Sequence, residues 1–301
     1  MNSIHLRAFA KINLGLKILG KRRDGYHEIR TVYQTIELHD RLRVSLHSRR
    51  SGVRVACDDA SIPTGRENIV HRACAIWKRA RRFSGGIEVY LEKRIPAGSG
   101  LGGGSSDAAA TLIGLERLTG NRLGSAQKWT LAARLGSDVP LFLLGGRVLG
   151  CGRGEEVYPL ADLPGCSCLV AFPGFPVSTA ATYQAVGRVL RFRLTRTPEV
   201  LSIDSFGARS PFPLEHWGPA ENDFERVVFA RWPELARLKR QFIRAGAETA
   251  SLTGSGSAVY AIFASARQLK AALRFVPASW QAFRTRTLTR HAYLRAVTSD
   301  K

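Results

Sequence analysis

Apolar and polar residues alternate from residue 4 to residue 19. Leu14, Leu16 and Ile18 fall on one face of the extended chain, and Lys11, Asn13, Gly15 and Lys17 on the other. That pattern predicts one long strand. Lys21-Arg22-Arg23-Asp24-Gly25 reads as a turn, with Asp-Gly its strongest signal, followed by Tyr26-His27 and a strand through Tyr33 to Leu38. Further strands are expected over 41–57 and a loop over 58–64. The period then becomes helical at Ile69, Ala73, Ile76, Trp77 and Ala80, with Asn68 as the cap and Ser84-Gly85-Gly86 as the stop. Residues 87–93 alternate again as a strand.

The same reading predicts a helix ending at Leu118, a second from Ser125 to Leu135, a strand pair within 146–160 and a strand over 168–172. Ser178-Thr179 caps a helix carrying Tyr183. Residues 191–219 are basic, rich in Pro, Ser and Phe and poorly periodic, and read as a loop excursion. Asn222-Asp223-Phe224-Glu225 opens one long amphipathic helix with Val227, Val228, Leu235, Leu238 and Phe242 on its apolar side. Thr253-Gly254-Ser255-Gly256-Ser257 is a glycine–serine turn, followed by a strand over 258–263, a helix over 266–275 and a strand over 281–288. Strands and helices mixed in this way make an α+β chain. Two domains are expected, 1–162 and 163–301, with Asp162-Leu163-Pro164-Gly165 as the boundary.

Composition narrows the setting. No stretch approaches the ~18 consecutive apolar residues of a membrane span, and the N-terminus lacks a charged-then-apolar leader, so a soluble, cytoplasmic protein is expected. Cysteines 57, 74, 151, 166 and 168 form no C-x-x-C pair and read as reduced structural thiols. The formal charge of +21 is spread along the chain rather than gathered with aromatics on one face, so no nucleic-acid partner is expected. Its densest cluster, Arg72, Lys78, Arg79, Arg81 and Arg82, fits the solvated face of one helix.

Chemistry concentrates in Pro96-Ala97-Gly98-Ser99-Gly100-Leu101-Gly102-Gly103-Gly104-Ser105-Ser106, which passes directly into Asp107 and an alanine-rich helix. Glycines let the backbone take positive φ and come close to a ligand, and the helix N-terminus behind them offers free N–H groups, so the run predicts a phosphate cradle. Ser105, Ser106 and Asp107 are its candidate N-caps. Gly98, Gly100 and Gly103 match G-x-G-x-x-G by spacing, but the acidic residue at the end of a following strand is missing, and no Lys stands where a Walker A loop needs one. Asp138 lies between a helix end and the apolar run closed by Gly145-Gly146. A carboxylate there needs a cation or metal, and Lys11 is a candidate. Tyr26-His27 suits either the closing of a hairpin or the stacking and edge recognition of a base.

Three of these stretches, in order, resemble the GHMP kinases: the N-terminal strand with its Lys, the P-x-x-x-G-L-G-G-G-S-S loop at 96–106 and the Gly254-Ser255-Gly256-Ser257 turn. Ala10-Lys11-Ile12-Asn13-Leu14, Asp24-Gly25-Tyr26-His27 and Asp138-Val139-Pro140 resemble the branch acting on a CDP-linked methylerythritol in the non-mevalonate isoprenoid route. The resemblance implies a ribosomal-protein-S5-like first domain, a ferredoxin-like second one and a cleft site between them. It implies transfer of the ATP γ-phosphate to a 2-hydroxyl, with Asp138 as base and Lys11 as its partner. Asn13, Tyr26, His27, Thr179 and Tyr183 face the substrate, and Tyr26 and Tyr183 sandwich its cytosine. Ser105 or Ser106 is within reach of the accompanying Mg²⁺, whose protein ligands the motifs leave unassigned. A monomer or homodimer is expected. Homoserine, mevalonate or a sugar are the rival acceptors, and a basic nucleic-acid binder the rival of another class. Asp107, where asparagine is common in the family, and Ser137, where alanine is, remove no functional group.

Overall fold

A twisted ribbon of two unusually long strands, β1 (Asn2–Lys21) and β2 (His27–His47), runs the length of the computed structural model, which describes residues 2–48, 51–190 and 220–298. β1 covers one edge of β2 throughout. The other edge of β2 is shared: β5 (Arg147–Cys151) pairs with Thr31 to Gln34, and β4 (Gly86–Glu92) with Arg41 to His47. β3 (Val53–Cys57), parallel to β4, and β6 (Glu156–Pro159) complete this six-stranded sheet. The expected break of β2 between Leu38 and Arg41 does not occur. Asp40, which reads as a polar interruption, points inward and is satisfied by the N–H groups of Arg94 and Ile95.

Helix α1 (Ile69–Arg81) starts where Asn68 Oδ1 accepts the N–H of Val70 at 2.7 Å, as a side-chain cap should, and buries Trp77 completely. Helix α2 (Gly103–Thr119) turns Ala108, Ala109, Leu112 and Leu115 into the same core, with α3 (Ser125–Leu135) and the single turn α4 (Leu141–Leu144) beside it. Two starts differ from expectation. α2 begins at Gly103, ahead of Ser105, Ser106 and Asp107, because the left-handed Gly102 already turns the chain (φ 75°). α3 is capped by Gly124, so Ser125 is its first residue rather than its cap.

The second sheet contains β7 (Ser167–Phe172), β8 (Thr249–Leu252), β9 (Val259–Phe263) and β10 (Gln281–Arg286) in the order β10-β7-β9-β8, all antiparallel. With α5 (Thr179–Leu190) after β7 and α8 (Ala266–Ala272) after β9, this is the split β-α-β arrangement of ferredoxin-like folds. The single helix expected after Phe224 is two, α6 (Glu225–Arg231) and α7 (Pro233–Arg244), because Pro233 has no N–H to continue the ladder and begins a new helix. The helix expected over 266–275 closes as a 3₁₀ turn from Leu273. Strand β8 and a last helix, α9 (Arg290–Ala296), were not predicted. The 191–219 excursion lies outside the described residues.

β1 links three cores. Leu6 and Phe9 pack with Trp77 and Phe142, Ile12 and Leu14 with Val170 and Tyr260, and Leu16 and Ile18 with Phe224 and Phe242. Irregularities in the β1–β2 register next to Lys11 and Gly15 break strict alternation. Both faces are therefore buried through the middle of β1, including the polar Lys11 and Asn13. Among the described residues no helix is long and apolar enough to cross a membrane.

Candidate active site

The glycine loop between β4 and α2 is suspended from its neighbours by bonds to its backbone. Lys11 N–H donates to Leu101 O (2.9 Å), Ala258 N–H to Ser99 O (3.1 Å), and the Thr253 hydroxyl to Gly100 O (3.1 Å). Gly100, at φ 84°, has no room for a side chain: a Cβ there would lie 2.1 Å from Thr253 O. The glycine–serine turn at 253–257 is thus the partner against which the cradle is shaped. Behind the loop, the 17-residue α2 directs the positive end of its dipole into the same space.

A cavity of about 1340 Å³ opens in front of the loop. Ile62, Pro63, Ile69, Leu91 and Ile95 form an apolar slot at one end, and Tyr26, His27 and Tyr183 line the other. Lys11, Asn13 and Asp138 stand between them. Thr179, Gly254 and Ser255 close the side formed by the second sheet, and the Thr179 and Ser255 hydroxyls are 2.8 Å apart. Every expected site residue lines this cavity except Ser106, whose buried hydroxyl finds no partner among the described residues.

At the centre, Lys11 Nζ donates to Asn13 Oδ1 at 2.7 Å and lies 3.6 Å from Asp138 Oδ2. Burial pulls the Lys11 ammonium below the ordinary lysine range, and Asp138 offsets part of that shift. Asn13 Nδ2 donates to Thr31 Oγ1, whose own hydrogen goes to Gly15 O, while Asn13 Oδ1 also accepts from Gly254 N–H (2.8 Å). The carboxamide is therefore fixed in orientation. Tyr33, 2% exposed, donates its hydroxyl to Asp138 Oδ1 at 3.1 Å and places its ring under Lys11 Nζ, 5.5 Å from the centroid. Burial, then Asp138, holds its phenol well above the ordinary range, so it stays a donor.

At the aromatic end, His27 lies flat on Tyr183, with centroids 4.7 Å apart and planes inclined by 14°. Burial and then Lys21 lower its imidazole below the ordinary value, leaving a neutral ring with one donor and one acceptor. Tyr26 is 54% exposed, with the Arg153 guanidinium over its ring. At the other end, Lys93 is held between Asp40 and Asp107 Oδ2, beside the first turn of α2. Burial would lower the Lys93 ammonium, but the two carboxylates outweigh it and hold it above its ordinary range. Burial pushes the Asp107 carboxyl up to about 7, with Lys93 opposing and Asp40 adding to the shift.

Sequence reading missed Tyr33, Thr31, Thr253 and the Asp40–Lys93–Asp107 cluster. Lys93 carried a usable signal, a cation delivered by a strand directly into the glycine loop. Tyr33 carried none, since an aromatic within a strand is ordinary core material.

Comparison with known proteins adds sequence and fold. The family description "GHMP kinases N terminal domain" matches residues 68–146, and "GHMP kinases C terminal" matches 214–282. A 4-diphosphocytidyl-2-C-methyl-D-erythritol kinase of Solibacter usitatus is 47% identical over 259 residues, covering 86% of this chain and 81% of the relative. One from a Synechococcus strain is 40% identical over 278 residues, covering 88% and 86%. A crystal structure of 4-(cytidine 5'-diphospho)-2C-methyl-D-erythritol kinase superimposes with a TM-score of 0.75 at 36% identity, over 94% of this chain and 99% of that one. Homoserine kinase from Cytophaga hutchinsonii shares the fold at 18% identity, with a TM-score of 0.68 and coverage of 96% and 95%.

Proposed function

From the premise that this chain belongs to the GHMP kinase family, we propose how its cavity transfers the γ-phosphate of ATP to the 2-hydroxyl of 4-diphosphocytidyl-2-C-methyl-D-erythritol. The chain is a small-molecule alcohol kinase, and this acceptor is the one after which its relatives are named. One observation carries the site reading: the Lys11–Asp138 pair lines the same cavity as the glycine loop, which Lys11 touches, and the His27–Tyr183 stack.

Asp138 accepts the proton of the 2-hydroxyl as the bond to phosphorus forms. Lys11 and Tyr33 hold its two oxygens in place from opposite sides, and Lys11 also offsets negative charge near the acceptor. Backbone N–H groups of the loop and the α2 N-terminus cradle the phosphates, with the apolar slot taking the nucleotide's base. Tyr183 and Tyr26 contact the faces of the cytosine once the neutral His27, which covers the Tyr183 ring here, turns aside to meet its polar edge, while Thr179 and Ser255 bound the acceptor.

Mg²⁺ needs only one or two protein oxygens when phosphates supply the rest. Ser105, which lines the cavity next to the helix start, fits that demand better than the enclosed Ser106. When bound, the ion neutralises charge on the phosphates. On this reading residues 1–162 supply the ATP loop and the base, residues 163–301 the turn and the Tyr183 ring, and the reaction takes place in the cytoplasm.

ATP-dependent ADP release with the CDP-alcohol and Mg²⁺ tests the reading, comparing the native chain with Asp138→Ala. A loss of roughly 10²- to 10⁴-fold, with ATP binding retained, is expected of a general base. Undiminished turnover in the variant would remove Asp138 from that role.

A further inference from the structure

Four consecutive residues that open the expected long helix, Asn222-Asp223-Phe224-Glu225, each tie down a different part of the site. Residue 222 runs beside β1 as a parallel bridge to Leu16: Leu16 N–H donates to Glu221 O (2.8 Å) and Asp223 N–H to Leu16 O (3.0 Å). Asp223 Oδ2 accepts the N–H of Ile18 at 2.8 Å. Phe224 is buried edge-on against Tyr183, with centroids 4.8 Å apart. Glu225 Oε1 accepts from the Ser251 hydroxyl (2.7 Å) and Leu252 N–H (3.1 Å).

Asn222 reaches furthest toward the chemistry. Its side chain, 4% exposed, donates through Nδ2 to both Leu252 O and Gly254 O at 2.9 Å, and its Oδ1 accepts the N–H of Phe224 at 3.0 Å. Those bonds fix the backbone on both sides of Thr253, and with it the direction of the Gly254 N–H. The Gly254 N–H is one of the donors that decide which end of the Asn13 carboxamide faces Lys11. Without it the carboxamide keeps Thr31 on its NH₂ group but loses a bond that holds its oxygen in place against Lys11, and among the described residues the one charged partner of Lys11, Asp138, lies 3.6 Å off.

We infer that Asn222 is a positioning residue for phosphoryl transfer: it touches no substrate, and acts through Gly254 and Asn13 to hold Lys11 beside Asp138. The inference rests on the Lys11–Asp138 reading of the site. It makes the chain segment entering α6 a structural link between the second sheet and the reacting groups on β1.

Steady-state kinetics of Asn222→Ala test it, alongside Phe242→Leu, a substitution of a buried side chain that lowers stability and does not line the cavity. The expected result for Asn222→Ala is a kcat roughly 10- to 100-fold lower, the effect of a small misplacement of reacting groups, with KM for both substrates within about threefold of native. The alkaline limb of its kcat profile should move to lower pH, because a displaced Asn13 oxygen stabilises the ammonium less; Asp138 and Tyr33, the other groups facing Lys11, are unchanged. Phe242→Leu should leave both kcat and the limb in place below its melting temperature. Native kcat in Asn222→Ala, a loss no larger than in Phe242→Leu, or a rise in KM alone would each overturn the assignment. Asn222→Ser, whose hydroxyl still accepts from Phe224 N–H, answers the same question if the alanine variant does not fold. Asp138→Ala serves as the reference: turnover surviving there would reject the site reading itself, whatever Asn222 does.

Discussion

Tyr33 and Asp138 are 105 residues apart in sequence and meet at 3.1 Å, phenol oxygen to Oδ1. The bond uses the carboxylate oxygen opposite the one that faces Lys11. A carboxylate gripped on both oxygens keeps its remaining lone pairs aimed in one direction, which general base catalysis requires. Tyr33→Phe should lower kcat by about tenfold while leaving KM for ATP unchanged, with a stability cost of about 1 kcal/mol for the lost hydrogen bond. Single-turnover rates measured beside a melting curve would decide this; a native rate would show that Lys11 alone suffices to orient Asp138.

Lys11 predicts a pH dependence. Because burial places its ammonium below the ordinary lysine value, the charge should be lost, and kcat should fall, at a pH lower than an exposed lysine would allow. Lys11→Arg, a guanidinium that does not deprotonate, should be slower at pH 7 because the buried side chain packs against Gly102 with little room for a longer fork, yet should lack that alkaline decline. Parallel kcat profiles from pH 7 to 10 make the comparison, and the same decline in both enzymes would assign it to another group.

Gly100→Ala attacks the cradle. The added methyl cannot coexist with Thr253 O, and φ of 84° is strained for alanine, so loop and turn must separate. KM for ATP should rise by at least about tenfold, with affinity for the CDP-alcohol changed far less. Nucleotide titration by fluorescence or calorimetry would reveal it, and unaltered ATP affinity would count against the loop as the phosphate site.

Tyr183→Ala should act at the opposite end. Loss of one stacking face costs about 1–3 kcal/mol per base, or roughly a 5- to 150-fold higher KM for the CDP-alcohol, while KM for ATP holds. An increase confined to ATP would reverse the assignment of the two ends of the cavity.

Asp107 makes stability depend on pH. Its folded carboxyl titrates near 7 against 3.8 unfolded, so between those values the folded chain holds a proton that the unfolded chain has released. The contribution is complete below the unfolded value and disappears as pH rises through about 7. Asp107→Asn, which can still accept from Lys93, should therefore gain on the native chain between pH 5 and pH 8. Melting temperatures across that range would test it; a constant offset between the two proteins would not fit.

The parts of the fold and site that could be read in advance are those whose signal is local. The glycine loop, the Asn68 cap, the Asp-Gly turn and the alternation that sends Lys11 and Asn13 the same way each depend on a few neighbouring residues. Tyr33 on Asp138, Thr253 on Gly100 and Asn222 on Gly254 depend on which strands pair and where the chain returns, and no short window encodes that. The continuity of β2 past Leu38 is hidden for a related reason: Asp40, a carboxylate paired with Lys93 and two backbone N–H groups, is at home in a core, but nothing next to it in sequence shows those partners. The split at Pro233 was legible and went unread, since proline inside an amphipathic pattern starts a new helix more readily than it continues an old one.

Helix α9 returns to the first core and seats Tyr293 behind the segment that carries Asp138. The Tyr293 hydroxyl donates to Phe142 O at 2.5 Å, and its ring fills the space where Gly145 would otherwise carry a side chain. Tyr293 follows Phe142 by 151 residues, so at roughly 5–20 residues per second the ribosome needs on the order of 10 to 30 s to supply it after Phe142 has been made. Throughout that interval the nascent chain already contains Asp138 but lacks the wedge that backs the segment after it. A chain that stops short of Tyr293 would therefore keep the glycine loop and the 253–257 turn and yet lack the ring that backs the segment after Asp138.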